Sequence, residues 1–394
     1  MPDAAAPRIV VIGAGFGGLS AVRALRHANA AITLIDRENH HTFQPLLYQA
    51  ATAALAATDI AWPTRSLLRR QANARVVMAE VTAIDLSARR VQTDEGSFDY
   101  DYLVLATGST HSYFGHDDWA RFAPGLKRIA DAAVIRKRIL LAFEQAELAS
   151  DRGEQIRLLT FAVIGGGPTG VEMAGAIAEV ARDTLRHDFR RVDPAEANVV
   201  LVEAGPRLLP TLPEDLSAYA LAALRRMGVD VRLDVQVTGC DAGGADTSAG
   251  RIEASTLIWA AGVRASSAAS WIGVAADRHG RIAVAADLSV PGHPEVYAIG
   301  DTAAAMRPDG GPVPGVAPAA KQMGDYVGRR LATLIAGRPA EPRFRYRDQG
   351  ELATIGRKAA VVRIGRIKLT GFIAWLFWSV VHIFFLVTLR DRLV

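Results

Sequence analysis

The 394-residue chain has a single cysteine, Cys240. One thiol excludes a disulfide framework and any dithiol relay within the chain, and Cys240 itself reads as a small hydrophobe at a strand end. A charge excess is also lacking: 45 Lys and Arg stand against 41 Asp and Glu, a formal +4. No arginine-rich run interleaves with aromatics, so nucleic acid is not an expected partner. A weakly basic chain of slightly positive mean hydropathy suits an anionic lipid surface instead. The opening MPDAAAPRIV lacks the charged and apolar blocks of a secretory leader, which places the start of folding in the cytoplasm. His40 and His41 are adjacent but have no cysteine or acid at ligand spacing, so no metal is expected.

What the chain does have is glycine in two ordered clusters. Arg8 to Ile12 is a β-branched run suited to a strand buried on both faces. Gly13-Ala14-Gly15-Phe16-Gly17-Gly18 follows, then a helical stretch from Leu19 to Ala28, then an apolar strand from Ala31 that ends on Asp36. Strand, glycine turn, helix, strand and acid is the order of a dinucleotide-binding unit. Gly13 allows the turn, Gly15 admits a pyrophosphate to the backbone, and Gly18 lets helix and strand pack closely. Asp36 is placed to accept from an adenosine ribose.

The same order then returns. Phe161 to Ile164 leads into Gly165-Gly166-Gly167-Pro168-Thr169-Gly170, a helix from Val171 to about Arg186, and a strand from Val199 to Val202 that ends on Glu203. Leu257 to Gly262 echoes Leu103 to Gly108, so Thr107-Gly108 and Gly262 close matching late strands. Two such units in one chain are an internal repeat, and the repeat decides the architecture. Further strands are expected at Arg75 to Ile84 and Ser97 to Leu105, and helices at Asp131 to Leu148 and Ala319 to Ala336. Val296 to Asp301 is one more strand, ending in Gly-Asp. Asp301 is a candidate for hydroxyls of a dinucleotide held by the first unit.

The expectation is an α/β protein with two Rossmann-like domains. A discontinuous FAD-binding domain takes residues 1–115 and 266–335, an inserted NAD-binding domain takes 116–265, and residues 336–394 attach to a membrane. Two fingerprints most simply serve one flavin and one nicotinamide dinucleotide. Glu203 favours NADH over NADPH, because a carboxylate accepts from a 2′-OH and repels a 2′-phosphate. The stretch after the first unit, PLLYQAATAAL, holds no cysteine pair, so electrons must leave a flavin directly. Leu369 to Leu389 is uncharged and about 21 residues long, near the ~20 that span a bilayer. Gly371, Trp375, Ser379, His382 and Trp378 fall near one weakly polar stripe, which fits an interfacial helix equally well.

His40-His-Thr-Phe-Gln-Pro-Leu-Leu-Tyr-Gln-Ala-Ala-Thr, Ile60-Ala-Trp-Pro, Gly165-Gly-Gly-Pro-Thr-Gly-Val-Glu172 and Val296-Tyr-Ala-Ile-Gly-Asp301 together resemble the type II NADH dehydrogenases. These are single-subunit NADH:quinone oxidoreductases that do not pump protons. The resemblance implies non-covalent FAD, NADH as donor, and a membrane quinone (ubiquinone or menaquinone) as acceptor. It also implies monotopic attachment at the cytoplasmic face of the inner membrane, which turns the C-terminal reading toward an interfacial helix. It leaves the oligomeric state open, with a homodimer as one option. By position it implies Glu172 near nicotinamide and flavin, Tyr48 and Gln49 on the quinone side, and Lys358 as a cation near the same site. The family's Ala-Gln-x-Ala-x-Gln-Gln-Gly pattern is met here by Ala317-Pro318-Ala319-Ala320-Lys321-Gln322-Met323-Gly324. Only Gln322 keeps its amide. A soluble NADH diaphorase and a non-catalytic FAD/NADH redox sensor remain the competing readings at this point.

Overall fold

The computed structural model describes residues 6–385, and the chain divides into two compact units. The first takes residues up to Thr42, Ala61–Thr110 and Val263–Asp348; the second takes Phe43–Ile60, His111–Gly262 and the chain from Gln349 onward.

The first unit is built on a six-stranded sheet in the order Ser289–Val290, His293–Ala298, Tyr102–Leu105, Arg8–Ile12, Ala31–Asp36, Ala74–Met78. All pairings are parallel except that of Ser289–Val290. Ile9 to Ile12 are buried throughout, as a strand covered on both faces requires. The helix Phe16–Ala24 packs against the helix Ala317–Ile335. A Cβ at Gly324 would lie 2.0 Å from the Gly17 carbonyl oxygen, so glycine there is what lets the two helices approach.

Two long expected strands each prove to serve two sheets. Arg75 to Ile84 divides into Ala74–Met78, at the edge of the parallel sheet, and Val81–Asp85, in an antiparallel trio with Arg90–Thr93 and Gly96–Asp99. Ser97 to Leu105 divides likewise into Gly96–Asp99 and Tyr102–Leu105. The reason is a change of partner: Tyr100 N–H donates to Arg89 O of the trio, and Asp101 N–H to Arg8 O of the parallel sheet.

The second unit holds a parallel sheet in the order Val229–Arg232, Asn198–Val202, Thr160–Ile164, Thr256–Trp259. The helix after the second glycine cluster runs from Pro168 to Glu179 and then widens into a π turn over Val180–Thr184, shorter in regular form than the periodicity predicts. Cys240 sits half-buried in the strand Val237–Asp241, and burial pushes its thiol up to about 11. Near the C-terminus three antiparallel strands, Glu351–Thr354, Ala360–Ile364 and Ile367–Thr370, carry the helix Gly371–Phe385.

That helix has one buried and one exposed face. Ala374, Trp378 and His382 are buried, whereas Phe372, Ile373, Leu376 and Val380 are exposed. The His382 ring stacks on Trp378 at 4.0 Å, meets Phe43 edge-on at 6.0 Å and hydrogen-bonds Trp378 O at 2.8 Å. The weakly polar stripe therefore turns inward, where its imidazole has a carbonyl partner, and the apolar side chains face out. Among the described residues no helix is long and apolar enough to cross a membrane. Residues 386–389 of the apolar segment, with Arg390 and Arg392, lie outside the described residues.

Candidate functional site

In the first unit the glycine turn is clamped by its own acid. Asp36 accepts from Ala14 N–H at 2.5 Å through Oδ2 and from Glu38 N–H at 2.8 Å through Oδ1. Each carboxylate oxygen has a second lone pair left over, so the clamp still leaves acceptor capacity for a ligand hydroxyl. Burial pushes this carboxyl up, against the two backbone donors and Arg37. Gly13 has φ +103°, and a Cβ at Gly18 would lie 1.8 Å from Gly13 O. A Cβ at Gly15 would meet nothing within 4 Å, so the space beside that backbone is open. Gly15 is the N-cap of its helix and no side chain caps it. An anion at that point would supply the missing acceptor and meet the positive end of the dipole.

Thr107, Gly108 and Asp301 do come together in this unit, through residues that sequence reasoning missed. Thr302 Oγ1 accepts from Gly108 N–H at 2.9 Å and lies 3.1 Å from Thr107 Oγ1. Thr107 Oγ1 is also 2.5 Å from Ser266 Oγ, and Ser109 Oγ donates to Asp301 Oδ2 at 2.7 Å. Single hydroxyls in loops far apart in sequence carry no spacing signal. His41 is buried beneath the same loop, with Nδ1 2.8 Å from Ala14 O; burial, then the charges of Arg23, Lys321 and His40, press it down to about 4.

The departures from the family pattern are absorbed by the structure. Pro318 falls in the first turn of the Ala317–Ile335 helix, where the missing N–H has no intrahelical partner anyway. Met323 is buried in the core, and its sulfur accepts from Gly300 N–H at 3.0 Å. Gln322 keeps its amide but commits both ends to one backbone: Nε2 donates to Arg347 O at 3.0 Å, and Oε1 accepts from Arg347 N–H at 2.9 Å.

The second unit repeats the clamp. Glu203 accepts from Gly166 N–H at 2.5 Å and from Gly205 N–H at 2.7 Å. Gly165 has φ +112°, a Cβ at Gly170 would lie 1.8 Å from Gly165 O, and Gly167 is an open, uncapped N-cap. The sequence repeat is thus a structural repeat down to the same acid-to-loop hydrogen bonds. Gly262, at φ +76°, would press a Cβ to 2.5 Å from the Phe114 ring.

One face of the Pro168–Glu179 helix then organises a polar cluster. Glu172, Gly175 and Glu179 follow at helical spacing. Glu172 takes a hydrogen bond from the Thr354 backbone, and Glu179 accepts from Arg357 N–H. Between them a Cβ at Gly175 would lie 2.9 Å from Gly356 N, so only glycine admits the turn after that strand. Glu172 retains some accessible surface, yet its carboxyl is enclosed deeply enough that burial pushes it up to about 8, with the Thr354 donor opposing. Tyr48 Oη lies 2.9 Å from Thr354 Oγ1 and accepts from Gln49 Nε2 at 3.0 Å. Burial, then the Glu172 charge, push the Tyr48 phenol up. Tyr48, Gln49 and Glu172 are therefore brought together, and Thr354 joins them. Lys358 is exposed at φ +73° in the hairpin turn after Thr354, and lines a cleft of about 400 Å³ with Glu179, Arg182 and Arg226. Among the described residues no cluster of histidine, cysteine and acids is set to hold a metal.

Comparison with known proteins agrees with this arrangement. The pyridine nucleotide-disulphide oxidoreductase family model matches residues 7–324. A type II NADH:quinone oxidoreductase of Mycobacterium tuberculosis is 45% identical over 401 residues, covering 98% of this chain and 86% of the relative. That of Staphylococcus haemolyticus is 31% identical over 376 residues, covering 92% and 91%. The structure of NDH2 from Plasmodium falciparum in complex with NADH shares the fold at TM-score 0.88 and 21% identity, covering 98% of this chain and 96% of that one. Two acid-clamped glycine loops, a family match over residues 7–324 and relatives of this identity place the chain in the pyridine nucleotide-disulphide oxidoreductases and, within them, among the type II NADH:quinone oxidoreductases.

Proposed function

We propose that this protein oxidises NADH and reduces a membrane quinone, NADH, one proton and quinone giving NAD+ and quinol, without moving protons across the membrane. The duplicated acid-clamped loop carries the reading, because it supplies two dinucleotide sites in a chain with one thiol. The first unit holds FAD non-covalently through Gly13, Gly15, Gly18, Asp36, Thr107, Gly108 and Asp301. The open space at Gly15 and the uncapped helix behind it fit the pyrophosphate. The second unit holds NADH through Gly165, Gly167, Gly170, Glu203 and Gly262. A bound flavin takes a hydride and gives up two electrons to an acceptor.

The protein's own part is to position, exclude water and hold protons. Asp36 and Glu203 keep lone pairs for ribose hydroxyls, and the negative charge of Glu203 disfavours a 2′-phosphate. The Glu172 carboxyl, pushed up to about 8, stays protonated near neutrality and can give a proton where quinol forms. Tyr48 and Gln49 face the acceptor, Lys358 lines a cleft that holds neither of them, and Gln322 contributes by fixing the Arg347 backbone. The outward Phe372, Ile373, Leu376 and Val380 rest in the interface of the cytoplasmic leaflet, with Lys368 near headgroup level.

The test is NADH oxidation by the flavin-loaded protein with and without a short-chain quinone, with NADPH in parallel. Quinone-dependent turnover with NADH and little with NADPH supports the reading. Flavin reduction that no quinone relieves would replace it with another acceptor.

A further inference from the structure

Thr354 is where three elements of the second unit meet. It ends the strand Glu351–Thr354, its side chain reaches the short helix Leu47–Ala51, and its backbone reaches the helix Pro168–Glu179. The residue is 1% exposed, so its polar atoms have no water to turn to and must be satisfied by these contacts. Gln49 Nε2 is only a donor, so the Tyr48 oxygen accepts from it. That leaves the Tyr48 proton free to go to Thr354 Oγ1 at 2.9 Å. The Thr354 hydroxyl proton is then available to a further acceptor. The approach is prepared from the helix side as well: Glu172 and Glu179 both take backbone donors from the Thr354–Arg357 segment, and Gly175 removes the side chain that would hold it off.

We propose that Thr354 is a positioning residue of the acceptor side: its hydroxyl fixes the direction of the Tyr48 O–H, and its backbone N–H fixes the Glu172 carboxyl, so that the two proton-bearing groups face the quinone as one unit. The inference rests on the quinone reading of the preceding section. A hydroxyl side chain is required because Oγ1 and the backbone of this residue are both in use. Valine keeps the shape and the backbone donor but gives Tyr48 nothing to donate to. Serine keeps both functions.

The experiment compares wild type, Thr354→Val, Thr354→Ser, Tyr48→Phe and the Val/Phe double variant as flavin-loaded full chains. Three quantities are read: the rate of flavin bleaching by NADH without acceptor, kcat and KM for a short-chain quinone, and quinone affinity from quenching of intrinsic fluorescence. Thr354→Val is expected to bleach at the wild-type rate but to lose about five- to twentyfold in quinone kcat, the effect of one buried hydrogen bond at the reacting end. Its alkaline limb near pH 8 is unchanged, because the backbone donor to Glu172 remains. Thr354→Ser restores kcat, and the double variant is no worse than Tyr48→Phe alone. A serine variant as impaired as valine would make the role one of packing and overturn the proposal, as would additive losses or a valine variant equal to wild type. A wild type that is bleached by NADH yet reduces no quinone would remove the quinone reading itself. All five proteins would then share the defect, which separates that failure from a failure at Thr354.

Discussion

Replacing Glu172 by glutamine tests the site through stability as well as through turnover. Burial lifts this carboxyl from the usual 4.5 to about 8, so the fold favours the protonated form. A group raised in this way contributes its full stabilisation below pH 4.5, where folded and unfolded chains are both protonated. As pH rises the unfolded chain ionises first, and the contribution falls by ~1.4 kcal/mol per pH unit until the folded carboxyl ionises near 8. The whole loss is about 5 kcal/mol, of which about 2 kcal/mol has accrued by pH 6. Glutamine is nearly isosteric, keeps an oxygen for the Thr354 donor and cannot ionise, so it escapes this loss. The urea-unfolding free energies of the two flavin-loaded proteins, measured at pH 6 and pH 9, should therefore diverge by about 3 kcal/mol in favour of glutamine at the higher pH. Every other titrating group is common to both proteins and cancels in the difference. In turnover the order inverts: Glu172→Gln should lower quinone kcat at pH 7 and lack the decline expected of wild type above pH 8. Parallel stability curves would refute the burial argument, and unchanged quinone kinetics would remove Glu172 from the chemistry.

Gly18→Ala drives a Cβ to 1.8 Å from Gly13 O, and the purified protein should carry little flavin, read from its visible absorbance; Gly170→Ala should keep its flavin and raise KM for NADH, since the same clash falls in the other unit. Glu203→Gln removes the charge that disfavours a 2′-phosphate. At ~1.5–3 kcal/mol for a charge-assisted hydrogen bond, the preference for NADH in kcat/KM should shrink at least tenfold, and an unchanged ratio would place discrimination elsewhere. Ile373→Glu with Leu376→Glu puts two charges on the outward face of the C-terminal helix, and flotation with anionic vesicles should fall sharply while flavin content stays constant.

The two dinucleotide units were legible because glycine spacing, strand runs and terminal acids are all local signals, and Gly13-x-Gly15 and Gly165-x-Gly167 share one order. The acid-to-loop clamps were half legible. Asp36 and Glu203 were placed to meet a ribose, whereas the structure also turns each back onto its own loop. Thr354 and Thr302 were not legible, since each acts across more than 150 residues of chain and a lone hydroxyl carries no spacing signal, even where Asp301 stands beside it. The C-terminal helix was legible as a stripe without a direction, for a different reason. Where almost every position is apolar, periodicity fixes a stripe but not its direction, which here follows from the packing of His382 against Phe43, far away in sequence. The divided strands failed on a third ground: at Tyr100 and Asp101 the backbone bends and changes hydrogen-bond partner with no glycine or proline to mark the break.

Met323 is where the chain's departure from its family can be separated from its function. A glutamine there would restore one of the two amides this chain lacks from the family pattern, and if that amide set the acceptor, Met323→Gln should improve quinone reduction. The structure argues otherwise. Met323 is 2% exposed in the core beneath the helix Phe16–Ala24, and its sulfur already satisfies Gly300 N–H. A glutamine oxygen can take over that donor, but its NH2 brings two further donors into an apolar setting of Ile299, Ala319 and Val327. Leaving them unpaired costs about 1–3 kcal/mol. Any shift of the 323 side chain also moves the acceptor of Gly300 N–H, which turns the chain at φ +64° beside Asp301, and so loosens the loop assigned to the flavin. Met323→Gln should therefore lower both the unfolding midpoint and the flavin retained on dilution, with no gain in quinone kcat/KM. A rise in kcat/KM at unchanged flavin content would show instead that the motif reaches the acceptor directly, and that methionine in this chain tunes the quinone rather than the core.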